Sequence, residues 1–130
     1  VLHAEALKLM QAGDQSSAFR LFEQAMNEYQ KAGFANLAGR VYINMGAASQ
    51  NQDSAQSCYE RAYAIARDNA DNYGVTLACL GLASRLAAND QLEIARKYAE
   101  EGLMRLSKSG LQAAEKHRVE IELNRIMEAI

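Results

Sequence analysis

Three short segments of the chain, at residues 18–26, 55–63 and 95–103, repeat one pattern of residue types. Each begins with a small residue and has a packing residue four positions later. Glu, a polar residue, a second small residue and an apolar residue then follow. The segments start 37 and 40 residues apart. Repetition at a nearly constant spacing is typical of chains that stack copies of one supersecondary unit, because a single unit cannot bury its own apolar face.

Each repeated segment lies in a strongly amphipathic pattern. In the first, Ala18, Phe22, Ala25 and Tyr29 fall on one face of a helix. Another apolar pattern of helical period precedes each of the three segments, and one more follows the last. The chain contains no proline and is rich in residues that favour helix, which predicts an all-α fold. The seven predicted helices cover residues 2–12, 14–31, 34–50, 53–67, 71–88, 90–108 and 111–130.

Acidic residues and glycines mark several helix ends. Asp14, Asp53 and Asp90 stand at the predicted starts of the three signature helices, and Gly33 is predicted to end the first of them. The helices then group into one domain of three antiparallel pairs followed by a capping helix. We assign repeat 1 to about 1–33, repeat 2 to about 34–70, repeat 3 to about 71–110 and the cap to about 111–130. The chain begins without Met, so we interpret it as a fragment of a longer protein.

These residues resemble the tetratricopeptide repeat, whose second helix carries Ala, an aromatic residue four positions on and Ala three further on. The first two repeats match at Ala18, Phe22, Ala25, Ala55, Tyr59 and Ala62. The third has Ala99 and Gly102 instead, and the usual Trp and terminal Pro are missing. The spacing exceeds the usual period of about 34 and is similar to that of rapsyn and LGN scaffolds. The resemblance implies a right-handed superhelical stack whose first helices line a concave, peptide-binding groove.

Polar residues of the predicted first helices are the candidate contacts in that groove. On helix 34–50, Asn36, Arg40 and Asn44 lie away from a predicted core face that includes Phe34 and Leu37. A forked guanidinium beside carboxamides suits a peptide carboxylate or backbone, so Arg40 is expected to contribute most to binding. An ordinary solvated face is the alternative. Helix 71–88 is apolar on nearly all sides, and its polar candidates are Asn72, Thr76 and Ser84.

Composition argues against several other classes of function. The net charge is −2, with no basic stripe for nucleic acid, and no apolar run reaches the length of a membrane helix. Cys58 and Cys79 make no disulfide framework, which favours a reducing, cytoplasmic environment. His3 and His117 are far apart, and there is no phosphate-binding loop or nucleophile motif. We therefore expect no catalytic site, no metal and no cofactor.

Two functions remain open. The leading hypothesis is a non-catalytic interaction module that binds a peptide or helix of another protein in the groove. The alternative is a regulatory helical-repeat domain of a larger signalling protein, which binds a small peptide or an intramolecular segment. The last helix carries an apolar stripe that includes Val119, Leu123 and Ile130. This stripe is expected to cap the third repeat, although it could also begin a further repeat or mediate self-association.

Overall fold

A computed structural model describes residues 2–49 and 51–129, without the side chains at positions 2, 3, 7, 10, 11 and 15. The described residues form seven helices, which confirms the predicted all-α fold class. The boundaries lie within two residues of the predicted ones, except that Gln50 and Ile130, two predicted helix ends, lie outside the described residues. The helices are α1 (Leu2–Gln11), α2 (Gln15–Lys31), α3 (Ala35–Ala48), α4 (Gln52–Asp68), α5 (Asn72–Ala88), α6 (Leu92–Leu106) and α7 (Ala113–Glu128).

Side chains cap the N-termini of α2 and α4. Asp14 accepts a hydrogen bond from the backbone N–H of Ser17 at 3.3 Å, which confirms the predicted cap. At α4 the prediction is wrong by two positions, because Asn51 is the cap and accepts from the backbone N–H of Ser54 at 3.0 Å. Asp53 lies in the first turn instead, where the helix dipole favours a negative charge.

Left-handed residues end several of the helices. Gly33 has φ of +82°, which confirms the predicted end of α2, and the corresponding positions after α4 and α5 are taken by Ala70 and Asp90, with φ of 52° and 61°. Asp90 therefore ends α5 and does not begin the next helix, which starts at Leu92. A left-handed residue at this position turns the chain sharply, so the next helix folds back on the previous one.

Each helix packs against the next one in the chain, and in addition α3 contacts α5 and α5 contacts α7. Gly39 near the start of α3 faces Ile65 near the end of α4. Arg105 at the end of α6 donates to the side chain of Asn72 at the start of α5. The pair α3 and α4 and the pair α5 and α6 are therefore each antiparallel.

The small residues of the repeated segments are buried where helices meet. Ala18, Ala55, Ala62 and Ala95 are completely inaccessible to solvent. Small side chains let helix axes approach closely where the helices cross, and larger residues fill the remaining space in the core. Phe22 is one of these, and it is fully buried in a core cluster with residues of α1, α3, α4 and α5.

The core face of α3 agrees with the predicted one at Ala38, Val41 and Met45, which are buried, and differs from it at the start of the helix. Phe34 and Leu37, also predicted core residues, are 56% and 36% exposed, and Tyr42 is buried in addition. Phe34 is the residue before the first turn of α3, and its backbone is not helical. It therefore does not share the face that the helical spacing assigns to it.

Helix α7 covers the last pair. Val119 and Leu123 are fully buried in a cluster with Ala83 of α5 and Ala99 of α6. Ile126 packs against the same cluster, while Ile121 is 44% exposed on another face. None of the described helices has the length and apolarity needed to cross a membrane.

Candidate functional site

A cavity of about 400 Å³ lies on the side of the molecule where α3, α5 and α7 are neighbours. Most of its lining comes from one face of α5, with contributions from α3, α4 and α7. Its α5 residues are at positions 77, 80, 81, 84, 85 and 88, which recur every three or four positions as expected for a single helical face. We call this cavity the groove, and its lining residues are Ile43, Tyr59, Leu77, Leu80, Gly81, Ser84, Arg85, Ala88 and Glu122.

The ring of Tyr59 and two glycines shape the groove. Tyr59 is 7% exposed and its ring lies against Gly46 of α3 and Gly81 of α5. A methyl group at Gly81 would lie 2.5 Å from Cδ1 of Tyr59, and one at Gly46 would lie 3.0 Å from Cζ. The absence of a side chain at both positions therefore lets the ring lie close to both helices.

Two groove residues carry hydrogen-bond donors. Burial raises the pKa of the Tyr59 hydroxyl, and the nearby charge of Arg85 opposes part of that rise. The hydroxyl therefore stays protonated at neutral pH and can donate. Arg85 is half-buried, and no carboxylate in the described part of the chain is within ion-pair distance of its guanidinium.

The acidic residue of the groove is already paired. Glu122 of α7 accepts from Nη1 of Arg118 at 3.0 Å, within the same helix. Arg118 also lies 3.8 Å from Glu115. Arg118 is thus shared by two carboxylates and balances the Glu122 charge in part. Within the lining, Arg85 is the cation that forms no ion pair with a described residue.

Arg40, the main predicted contact, has a partner within the fold. Its Nη2 lies 3.4 Å from Oδ1 of Asp71, and its guanidinium lies 4.3 Å from the ring centre of Tyr73. Asp71 is buried and precedes α5, so Arg40 balances a buried charge and links α3 to the start of α5. The Arg40 side chain remains 39% exposed, although its Nε atom is buried.

The two predicted asparagines of α3 are half-buried. Asn36 lines a second cavity of about 220 Å³ together with Phe34 and Asn69, near the turn between α2 and α3. Its Oδ1 is buried without a hydrogen-bond partner among the described residues. Asn44 is adjacent in sequence to Ile43, which lines the groove.

The structure separates the three predicted residues of α5. Ser84 is exposed and lines the groove. Thr76 is completely buried and its hydroxyl donates to the Asn72 carbonyl at 2.8 Å, so its placement on the binding surface is wrong. The Asn72 side chain accepts from Nη1 of Arg105 at 3.1 Å and therefore points toward α6. Helical periodicity did not reveal these three different environments, because α5 is apolar on nearly all sides.

A second polar cluster connects α4, α5 and α6. The Tyr63 hydroxyl donates to the carboxylate of Glu101, whose Oε2 lies 3.2 Å from Nε of Arg105. The Tyr63 ring packs edge-on against Tyr98, with 5.3 Å between centroids. Burial and the hydrogen bond to Glu101 raise the pKa of Tyr63 to about 12. Its contacts are all to neighbouring helices, so this cluster is structural.

The remaining candidates for chemistry are dispersed. Cys58 is half-buried and Cys79 is buried, and both are free thiols. Burial raises the pKa of each thiol, which lowers the thiolate fraction. His117 is exposed on α7, and the side chain of His3 lies outside the description. Within residues 2–49 and 51–129, no three His, Cys, Asp or Glu side chains are placed to hold a metal ion.

Sequence reasoning missed most of the groove. Ile43, Leu77, Leu80 and Arg85 line it, and none of them was among the predicted contacts. A signal was available on α5, where residues 77, 80, 81, 84 and 88 define a helical face in addition to the buried one. That face is recognisable as a surface only once the neighbours of α5 are known.

Comparison with protein-family models, with curated proteins and with solved structures gives no match. The resemblance to the tetratricopeptide repeat therefore rests on the three repeated segments themselves.

Proposed function

We propose that the chain is a non-catalytic protein-interaction module that binds a peptide or a helix of a partner protein in the groove. The observation that supports this most is the lining, where Ile43, Leu77 and Leu80 form an apolar surface beside Ser84 and Arg85. Binding sites combine a mostly apolar concave surface with a few polar groups that fix orientation. An elongated segment suits a surface that crosses three helices.

The proposed architecture is a tetratricopeptide-like, right-handed superhelical stack of three pairs, capped by α7. It is supported by the antiparallel packing and by the buried small residues of the repeats. Contacts between α3 and α5 and between α5 and α7 also fit first helices that stand side by side. In such a stack the groove is on the concave side. Asn36, Arg40 and Asn44 would then extend the contact surface along α3.

The proposed partner is a protein and not a nucleic acid, since the net charge is −2 and the mostly apolar groove carries one cation, Arg85, and one carboxylate, Glu122. The two free thiols support a cytoplasmic location, where thiols stay reduced. No cofactor is included in the proposal.

Selection of random peptides on the folded protein tests this function. One library presents free carboxyl ends, and in the other each peptide is fused at both ends. The blocking variant is Ser84→Trp, because Ser84 is exposed and its replacement fills the groove without removing core packing. The matched control is Ser16→Trp, at an exposed position on α2. Thermal melts establish that both variants are folded.

We expect peptides that bind the unmodified chain and Ser16→Trp equally and bind Ser84→Trp about tenfold more weakly or not at all. Failure to enrich any peptide, or enrichment of peptides that tolerate Ser84→Trp, would contradict the proposed function.

A further inference from the structure

Two polar groups of the groove have no partner within the described part of the fold. The Tyr59 hydroxyl and the Arg85 guanidinium both line the cavity, and neither forms a hydrogen bond or an ion pair there. Tyr59 is 7% exposed as a whole residue, while its hydroxyl oxygen is open to the cavity and can donate to an occupant. An occupant that accepts hydrogen bonds would supply the partner that both groups lack.

The surroundings specify the charge of that occupant. Arg85 is half-buried beside Leu77 and Leu80, so its charge is less well hydrated than one on an open surface. The acidic residue in the lining is Glu122, whose charge is partly balanced by Arg118 at 3.0 Å, which also lies 3.8 Å from Glu115. A carboxylate is the group that a guanidinium fork and a phenol hydroxyl both bind well.

We propose that the groove selects an Asp or Glu side chain of the bound segment, flanked by apolar residues. The carboxylate accepts hydrogen bonds from Arg85 and Tyr59, and the flanking residues pack on Leu77, Leu80 and Ile43. This inference rests on the proposed function and adds the chemistry of the partner. An internal acidic residue suits the groove because apolar residues of both α3 and α5 line it, so a segment can continue past Arg85.

The test uses the two peptide libraries described above. We expect acidic residues next to apolar ones among peptides fused at both ends, where no free carboxyl terminus exists. Selection on Arg85→Gln should not enrich them. The matched control is Arg20→Gln, which neutralises an exposed arginine of α2.

Affinities of the most enriched groove-dependent peptide then measure the contact. Arg85→Gln and replacement of the acidic peptide residue by its amide should each weaken binding about tenfold or more, and the two changes together should weaken it little further. Arg85→Lys keeps the charge without the fork and should give an intermediate affinity. Tyr59→Phe should also weaken binding. Thermal melts show whether each variant is folded.

The outcomes separate this inference from the proposed function. Groove-dependent peptides without acidic residues, or equal affinities for Arg85→Gln and Arg20→Gln, would overturn the acidic preference and leave the proposed function intact. Acidic residues that act only as free carboxyl termini would also overturn it. If no groove-dependent peptide is found, both proposals fail.

Discussion

At the scale of single residues, close packing around Tyr59 determines how α3, α4 and α5 fit together. The ring lies between two glycines and forms part of the groove. A glycine inside a helix normally costs about 1 kcal/mol relative to alanine, so its presence needs a compensating gain. Here the gain is the space occupied by the buried ring.

We therefore expect Gly81→Ala to lower the free energy of unfolding by about 1–3 kcal/mol through overpacking. The added methyl would lie 2.5 Å from Cδ1 of Tyr59, and the buried ring has little room to move. Gly39→Ala is the control and should cost less. Its methyl would lie 3.1 Å from Cγ2 of Ile65, a half-buried side chain that can shift. Urea unfolding of both variants decides. Equal stability of Gly81→Ala and the unmodified chain would mean that the ring does not lie between the helices as described.

Tyr63 gives the chain a dependence on alkaline pH. Its pKa is about 12 in the folded chain, raised by burial and by the hydrogen bond to Glu101, against about 10 in an unfolded chain. The unfolded state therefore loses the proton first, so the stabilisation is fully present below about pH 10 and is lost as pH rises toward 12. We expect Tyr63→Phe to make this fall in stability shallower. Burial also raises the pKa of Tyr59 and Tyr98, so part of the fall remains.

Unfolding measured between neutral pH and pH 12 tests this expectation. In a parallel titration of phenolate absorbance, Glu101→Gln should lower the pKa of Tyr63, because the carboxylate favours the neutral phenol. Identical pH dependence in Tyr63→Phe and the unmodified chain would show that this hydroxyl is not held as described.

Arg40 shows what sequence reasoning at this scale could and could not provide. Helical spacing correctly placed it away from the buried face of α3. Its partner Asp71 lies 31 positions away on the next pair, and nothing in the sequence connects the two. Pairing across helices depends on how they cross, which periodicity does not determine. We therefore expect removal of Arg40 to lower the free energy of unfolding, since Asp71 would be left buried without its cation.

At the scale of helices, most boundaries could be predicted from the sequence, because apolar periodicity and turn residues act locally. The start of α4 could not be fixed in this way, since Asn51 and Asp53 are both good capping residues. The choice between them depends on the backbone conformation of the preceding turn.

We expect Asn51→Ala to destabilise the chain by about 0.5–2 kcal/mol, because it removes the hydrogen bond to the backbone N–H of Ser54. Asp53→Ala is the matched control and should cost less, since Asp53 contributes only its charge near the helix dipole. Thermal melts of the two variants compare them directly. A larger loss of stability for Asp53→Ala than for Asn51→Ala would mean that Asp53, the residue expected from the sequence, caps the helix.

Helix α7 is expected to stabilise the last pair by burying its own apolar face. Leu123 is fully buried, so Leu123→Ala should cost about 2–5 kcal/mol. Ile121 is 44% exposed on the same helix, and Ile121→Ala should change stability by no more than about 0.5 kcal/mol. Urea unfolding measures both. Small effects of both substitutions would show that α7 does not cover the core.

At the scale of the whole molecule, the repeated segments predicted an all-helical chain but not which surface remains uncovered. The groove depends on α3, α5 and α7 lying side by side, and on the absence of a side chain at Gly81. Those features arise from how helices far apart in the chain pack. For the same reason the sequence alone does not distinguish whether Leu77 and Leu80 lie in the core or in the groove.

The most direct test of the account follows backbone amide resonances of the isotope-labelled chain while a selected peptide is added. Binding in the groove should shift resonances of α3, α5 and α7, with the largest changes near Ile43, Leu80 and Ser84. Resonances near Glu23 of α2 and near Asp68 at the end of α4, which are exposed outside the groove, should stay in place. Shifts concentrated on α2, with none on α5, would contradict the central claim that the groove is the binding surface.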